Sequence, residues 1–146
     1  MCKTTSGAGM GQFTYIPTAA YRGPNDTFTY MLSANGQTVV GTVTVPIAGM
    51  VWFINNNAAS CVVAGCGRLS NPFSTLAAFQ SLNGAVGNYP AANDNIFLYE
   101  SATDYIGPVT LLNNQKLIGQ DSTVTLSSVT GLTPGSGSAA FPAMNT

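Results

Sequence analysis

A change of repeating pattern near residues 46–52 divides this chain of 146 residues into two parts. Before it, polar and apolar residues alternate, as in Asp26-Thr-Phe-Thr-Tyr30 and Gly41-Thr-Val-Thr-Val45. Such alternation is typical of strands with one buried face. After it come a continuous apolar run, Val51-Trp-Phe-Ile54, and a helical pattern that begins near Asn71. The two parts therefore need different architectures, and neither carries enough elements for a complete domain.

The upstream part predicts three strands, at residues 12–16, 27–32 and 38–47. Asn35-Gly36 between the second and third is a strong signal for a two-residue hairpin turn. These strands would form an antiparallel meander with one apolar face. Residues 1–10 are small and polar, and they are predicted to be a disordered N-terminus.

The downstream part predicts one helix among short strands. Asn71 is placed to cap this helix with Pro72 at its first position, and Asn83-Gly84 would end it. Residues 96 and 116, in two of the strands, are separated by about one solenoid coil of roughly 20 to 29 residues. The strands are predicted at residues 51–54, 96–99, 109–112, 116–118 and 124–126, and residues 129–146, rich in Gly, Ser and Pro, are predicted to be a flexible tail.

Residues 11–48 resemble the C-terminal strands of bacterial immunoglobulin-like or cadherin-like surface repeats. The resemblance lies in Phe13-Thr-Tyr-x-Pro17, Tyr21-x-Gly23, Asp26-Thr-Phe-Thr-Tyr30 and Gly41-Thr-Val-Thr-Val45. It implies an aromatic strand pair inside a sandwich core and tandem copies that form stalks. This chain departs from the pattern by one extra residue before Asp26, and it supplies three strands where such a sandwich needs about seven.

Residues 51–128 resemble the N-terminal entry of pectate-lyase-like right-handed parallel β-helices. The resemblance lies in Val51-Trp-Phe-Ile-Asn55, the segment from Asn71 to Ala78, Asp94-Asn-Ile-Phe-Leu98 and residues 111–119. It implies that the helix covers one end of a solenoid and that later coils carry the stack. Only one or two coils are present, although stacked repeats generally need about three.

The expected fold class is therefore mainly β: a partial Ig-like antiparallel meander followed by a helix-capped β-solenoid start. Alternation and apolar runs together predict a core of Phe13, Tyr15, Phe28, Tyr30, Val43, Val45, Trp52, Phe53, Leu76, Phe79, Ile96, Leu98, Leu117 and Ile118.

Composition narrows the classes of function. The chain has four Lys or Arg, five Asp or Glu and no His, so 6% of its residues are charged, against roughly a quarter in ordinary domains. With a net charge of −1 there is no basic surface for nucleic acid. The apolar stretch at residues 39–54 is interrupted by Thr, Pro and Gly, so no membrane span is expected.

A surface built from Asn, Thr, Ser and Gln is typical of secreted β-rich proteins and favours an extracellular or bacterial cell-surface location. The first six residues lack the apolar core of a signal peptide. An exported protein would then carry its signal elsewhere or use another route.

The three cysteines are unevenly spaced. Cys61 and Cys66 bracket four residues and could close a short disulfide loop in an oxidising compartment; the alternative is two buried free thiols. Cys2 would be a free thiol near a terminus. Three cysteines without histidine do not provide the usual zinc ligands.

Catalytic candidates are few. Asp94, Glu100 and Asp104 lie close in sequence, and paired carboxylates could serve glycoside hydrolysis at the last two. The competing interpretation gives Asp94 a turn position and leaves Glu100 and Asp104 solvated. We therefore expect no catalytic residues.

Ligand binding has two further candidate sets. Asp26, Asp94 and Asp121 offer oxygen ligands for calcium, the one cofactor considered, although Asp is also a default turn residue. Tyr89, Tyr99 and Tyr105 could form a sugar-stacking strip or could pack within the fold.

The function that these patterns favour is a non-catalytic, structural, adhesin-like module of a bacterial secreted or cell-surface protein. Its partner would be a carbohydrate or another ligand on a host or cell surface. One alternative is a fragment of a polysaccharide-active β-helix enzyme, a lyase or hydrolase. The other is a self-assembling extracellular filament or phage-fibre subunit, a homo-oligomer formed through open strand edges.

Overall fold

The computed structural model describes residues 3–4, 13–14, 25–46, 49–61, 65–134 and 139–145. The chain forms two compact units, Met1–Ala48 and Gly49–Thr146. The change of pattern in the sequence lies at this division.

The first unit contains two antiparallel strand pairs. β1 (Lys3–Thr4) pairs with β2 (Phe13–Thr14), and β3 (Asn25–Ala34) pairs with β4 (Gln37–Pro46) over ten residues each. The predicted hairpin turn is confirmed, since Asn35 and Gly36 have φ values of 50° and 76°, as a type I′ turn requires. The predicted three-stranded meander is wrong for the described residues: β2 pairs with β1, inside the segment expected to be disordered, and not with β3.

The β3–β4 hairpin has one apolar face. Alternation places Phe28, Tyr30 and Leu32 on the same side of β3. The Tyr30 ring covers Gly41, its cross-strand partner, so closely that a Cβ at Gly41 would overlap it. The Tyr30 side chain thus shields the backbone of Gly41, which has no side chain of its own.

The core predicted for the first unit is only partly observed. Phe28, Val43 and Val45 are half-buried, and Tyr30 is 42% exposed, because a two-stranded ribbon buries little surface. Tyr15 and the side chain of Phe13 lie outside the described residues.

The second unit is built on a parallel sheet. β5 (Val51–Ile54), β6 (Asn95–Leu98) and β7 (Lys116–Gly119) pair in that order. Phe53 lies beside Phe97, and Phe97 beside Ile118, 21 positions further along the chain. This is the coil spacing expected from sequence, but the three described strands form an open sheet and not a closed solenoid.

Two short helices accompany the sheet. α1 (Leu76–Leu82) begins after Thr75, whose side chain accepts a hydrogen bond from the Ala78 N–H. The predicted cap, Asn71, is wrong because Phe73 is still extended beside β5 and forms a bridge with Ile54. The predicted end is confirmed: the Asn83 N–H bonds the carbonyls of the last turn.

Two predicted strands are wrong. Residues 109–112 form no strand, because side chains take their N–H groups: Thr110 donates to Gln80 Oε1 at 2.7 Å and Leu112 to Gln115 Oε1 at 2.8 Å. Residues 124–126 lead into α2 (Leu126–Thr130), which Thr125 caps by accepting from the Ser128 N–H.

Both faces of β5 and β6 are buried, as their continuous apolar sequences require, whereas β7 buries Ile118 alone. Phe53, Phe97, Ile118 and Leu126 form a core on one face. Trp52 and Ile96, which neighbour Phe53 and Phe97 in sequence, point to the opposite face of the sheet. There the rings of Trp52 and Phe73 stack with their centroids 6.2 Å apart. The predicted core residues that are buried are Trp52, Phe53, Leu76, Phe79, Ile96 and Ile118, and the buried residues not predicted include Ile54, Phe73, Phe97 and Leu126.

Two predicted core residues differ in burial. Leu98 is half-buried. Leu117 is 44% exposed, so its assignment to the core is wrong. It lies on β7, the edge strand of the sheet, where no further strand of the described chain covers it.

The segment predicted as a flexible tail contains residues that pack on the sheet. Val129, Phe141 and Met144 contact the core around Phe53. The Asn145 N–H donates to the carbonyl of Gln120 at 2.9 Å.

Candidate functional site

The outer edge of β5 is closed by the chain itself. The Phe53 N–H donates to the Gly67 carbonyl at 2.9 Å, and the Phe73 N–H donates to the Phe53 carbonyl at 2.9 Å. The Asn55 N–H donates to the Phe73 carbonyl at 2.8 Å. Residues 66–74, which we call the capping segment, thus take the place of a neighbouring strand.

A disulfide joins Cys61 to Cys66, at a Cα separation of 5.6 Å, and both residues are buried. Of the two states left open by the sequence, the structure contains the bonded one. The Cys61 N–H donates to Ser74 Oγ at 3.1 Å, and the Ser74 N–H donates to the Cys61 carbonyl at 3.2 Å. Cys61 therefore holds both ends of the capping segment, one covalently and one by hydrogen bonds.

Gly67 allows the capping segment to lie close to the aromatic core. Its φ is 86°, and a Cβ there would overlap the rings of Phe73 and Trp52. Phe73 in turn packs edge-to-face on Phe79 of α1, with ring centroids 6.0 Å apart. Only glycine meets both the backbone and the space requirement at this position.

The opposite edge of the sheet is different. Along β7, alternate residues bond β6, and Leu117 and Gly119 direct their backbone groups away from it. No strand of the described chain pairs with that edge. Leu117, Leu111 and Ile106, all after β6, are exposed by 44%, 40% and 81%. The sheet thus has one closed end and one open end.

A residue with positive φ precedes each strand of the parallel sheet. Gly49, Asn93 and Asn114 have φ values of 72°, 68° and 57°, and each lies two residues before its strand. Asn114 Nδ2 donates to Asn93 Oδ1 at 3.0 Å, so the side chains of two successive turns are bonded. The positions differ by 44 and 21 residues but are equivalent in the ladder.

Asp94, a calcium candidate, serves as a buried acceptor. It is 2% exposed, and its Oδ2 accepts from Trp52 Nε1 and from the Ala91 N–H, both at 2.8 Å. Gln115 occupies the equivalent place in the next turn, accepting from the Leu112 N–H. Sequence reasoning assigned Asp94 to a turn but had no signal for its partner Trp52, 42 residues away.

The other two calcium candidates also accept hydrogen bonds from the protein. Asp26 accepts from the Thr27 N–H at 2.8 Å, and exposed Asp121 lies 3.4 Å from Asn145 Nδ2. Within the described ranges, no three His, Cys, Asp or Glu side chains are grouped to hold a metal ion. Calcium binding stays a prediction.

The three candidate tyrosines lie in different surroundings. Tyr99 packs edge-to-face on Phe97 at 5.1 Å, and burial raises its pKa. The Tyr105 hydroxyl donates to the Tyr99 carbonyl at 2.9 Å and accepts from the Asn56 N–H at 3.3 Å. Burial raises the pKa of Tyr105, and the Asn56 bond lowers it in part. Tyr89 is half-buried. Tyr99 and Tyr105 are thus joined as packing residues.

The two carboxylates considered for catalysis are both exposed. Glu100 accepts a hydrogen bond from Asn145 Nδ2, and its N–H donates to Gln120 Oε1 at 2.9 Å. These contacts place Glu100 beside β7 and the last described residues of the chain.

A groove of about 350 Å³ lies beside α2. Its walls are mainly apolar, and Thr125 and Ser127 are the lining residues with polar side chains. Thr125 is already bonded to Ser128, so the groove offers little for recognising a polar ligand.

Comparison with protein families, with curated proteins and with solved structures finds no match to this chain. None of the helices in the described parts of the chain is long and apolar enough to cross a membrane.

Proposed function

We propose that the chain is a non-catalytic, structural module of a bacterial secreted or cell-surface protein, in which the second unit is the closed first end of a parallel β-solenoid. The observation that carries this proposal is the asymmetry of the sheet. The capping segment bonds both the outward N–H and the outward C=O of Phe53, whereas no strand among the described residues pairs with the outer edge of β7, where the Gly119 carbonyl accepts from the Ser122 N–H of a turn. A sheet edge sealed on one side directs any further strand pairing to the other side.

Three further observations support an extracellular, presentational role. The disulfide between Cys61 and Cys66 suits an oxidising compartment. The scarcity of charge leaves a surface of hydroxyl and amide groups. The carboxylate of Asp94 accepts hydrogen bonds from Trp52 and from the Ala91 N–H, which favours a structural role over a catalytic one.

Hydrogen exchange of the purified chain tests the sealed edge. The amides of Phe53, Asn55 and Phe73 are expected to exchange as slowly as those of Phe97 and Tyr99 in the sheet interior, because all five donate within the ladder. Fast exchange at Phe53, Asn55 and Phe73 together with slow exchange at Phe97 would show an open edge and end the proposal.

The absence of catalysis is tested separately with plant and bacterial polysaccharides. The chain is incubated with each, and both retention on the insoluble polymer and release of reducing or unsaturated ends are measured. We expect retention without product. Product formation that Glu100→Gln and Asp104→Asn both abolish would instead identify a polysaccharide-active enzyme.

A further inference from the structure

The chain contains two Asn-Gly dipeptides, Asn35-Gly36 and Asn83-Gly84, and the fold holds them in different ways. In such a dipeptide the side-chain amide of Asn lies next to a backbone nitrogen that no Cβ shields. Attack of this nitrogen on the amide carbon closes a succinimide ring. The reaction therefore depends on how firmly the amide and the glycine N–H are held.

Asn35-Gly36 lies at the tip of the β3–β4 hairpin. Both residues are exposed, and apart from its chain neighbours no atom lies within 4 Å of the position that a Cβ of Gly36 would take. The turn is flanked by the pair Ala34 and Gln37, and a turn of this kind bonds its first carbonyl to its fourth N–H. The Gly36 nitrogen is therefore outside the ladder, and loop tips open at little cost in free energy.

Asn83-Gly84, at the end of α1, is held by hydrogen bonds at both reacting groups. The Asn83 side chain donates to the Thr110 carbonyl at 2.9 Å and accepts from Gln115 Nε2 at 2.7 Å. The Gly84 N–H, which carries the nitrogen that would attack, donates to the Pro90 carbonyl at 2.7 Å. Gln115 is 8% exposed, so little water reaches its bonds to Asn83. Ring closure here requires these hydrogen bonds to break first.

We propose that Asn35-Gly36 is a site of self-modification, where the folded chain converts Asn35 to aspartate and isoaspartate, and that the fold protects Asn83-Gly84 from the same reaction. The Gly36 nitrogen gives up its proton to a base in the solvent and bonds Asn35 Cγ, while the side-chain nitrogen takes a proton and leaves as ammonia. Water then opens the succinimide. Opening at Cγ gives aspartate, and opening at the backbone carbonyl gives isoaspartate. One water is consumed for each ammonia released, and no other reactant is needed.

The reaction changes the hairpin tip in charge and in length. Residues 27–67 contain no Asp, Glu, Lys or Arg, so either product places a negative charge beside Leu32 and Val39, which are 61% and 64% exposed. Aspartate preserves the turn, because Asp-Gly also favours type I′. Isoaspartate carries the chain through its Cγ and adds a backbone carbon, which disturbs the turn that sets the register of Ala34 and Gln37. This inference concerns the first unit and does not rest on the sealed edge of the second.

The test is incubation of the purified chain at mildly alkaline pH in heavy-oxygen water, followed by digestion and mass spectrometry of both dipeptides. Each conversion incorporates solvent oxygen, and fragmentation distinguishes isoaspartate from aspartate. We expect Asn35 to convert faster than Asn83 by about tenfold or more. The same chain in guanidinium chloride is the reference: both dipeptides are then free of the fold and should convert at similar rates.

Two variants serve as matched controls. Asn35→Gly keeps a dipeptide that suits the turn and removes the amide, so the signal from the hairpin peptide should disappear. Gln115→Ala frees the Asn83 amide, so conversion at Asn83 should rise toward the denatured rate while Asn35 is unchanged; Trp52 fluorescence checks that the second unit is still folded.

The folded chain decides between the outcomes. If Asn35 stays intact over the time in which the denatured chain converts, the hairpin turn protects it and the proposed site is refuted. If both dipeptides convert equally in the folded chain, the hydrogen bonds of Asn83 and Gly84 give no protection, and the second half of the proposal is refuted.

Discussion

Asp94 shows how one buried side chain links two strands. Its Oδ2 accepts from the Trp52 indole and from the Ala91 backbone, so it ties β5 to the turn that leads into β6. A buried donor that loses its acceptor costs the desolvation free energy of that donor, about 1 to 3 kcal/mol. Two donors depend on this oxygen.

We therefore expect Asp94→Ala to lower the free energy of unfolding of the second unit by about 2 to 4 kcal/mol. Asp94→Asn keeps one acceptor oxygen and should lose less than half as much. Trp52 is the single tryptophan, so its fluorescence during urea unfolding reports on this unit. A loss below about 1 kcal/mol for Asp94→Ala would mean that water replaces the carboxylate.

Tyr105 carries a dependence on alkaline pH. Its folded pKa is raised by burial, with a smaller opposing effect of the Asn56 N–H. The folded state therefore keeps the phenol proton to a higher pH than the unfolded state does. The resulting stabilisation is complete below the unfolded pKa of about 10 and is lost as the pH rises through the folded pKa.

The variant Tyr105→Phe should cost about 1 to 2 kcal/mol at pH 7, because the bond to the Tyr99 carbonyl is lost. Above pH 10 the wild type loses this advantage, so the two stabilities should converge. Urea unfolding at pH 7, 9, 10 and 11 measures the difference. Tyr30→Phe, in the first unit and partly exposed, serves as the control; a gap that stays constant with pH would contradict the assignment.

At the level of elements, the start of α1 distinguishes local signals from tertiary contacts. Asn71-Pro72 is a good local start for a helix, but the next residue, Phe73, is bonded to β5 on both sides of its backbone. The helix consequently begins after Thr75.

Thr75→Ala is expected to cost about 1 kcal/mol because the Ala78 N–H loses its acceptor. Thr75→Ser should be nearly neutral. Asn71→Ala, at the exposed position that sequence alone would choose, should change stability by less than about 0.5 kcal/mol. Thermal unfolding of the three variants compares them, and a larger effect at Asn71 than at Thr75 would show that the helix begins earlier.

The same contrast explains what the sequence could predict. The apolar run at β5 and the Asn35-Gly36 turn are local patterns, and both elements form where predicted. Phe73 was missed as a core residue because its burial depends on contacts with Trp52 and Phe79. The sequence of residues 66–74 has no periodic pattern that would predict a bridge to β5. Asp94 could be placed in a turn, but its hydrogen bond to Trp52 spans 42 residues. Leu117 was misassigned because a period-two pattern cannot show that its strand lies at an edge.

Over the second unit as a whole, the sheet is stabilised unequally at its two ends. The β5 end combines a disulfide, three backbone bonds to the capping segment and the rings of Trp52, Phe73 and Phe79. The β7 end has Ile118 in the core but leaves Leu117 half in solvent. Apolar burial, which dominates stability, is therefore concentrated at the closed end.

Truncation of one apolar side chain at each end measures this asymmetry. Phe73 is fully buried, so Phe73→Ala should cost about 3 to 5 kcal/mol, and Phe73→Leu should cost less because it leaves a smaller cavity. Leu117→Ala should cost under about 1 kcal/mol, since the side chain already contacts water. Urea unfolding followed by Trp52 fluorescence gives all three values. Equal losses at Phe73 and Leu117 would mean that the β7 edge is also covered in solution. The two ends of the sheet would then not differ in the way that the closed β5 end implies.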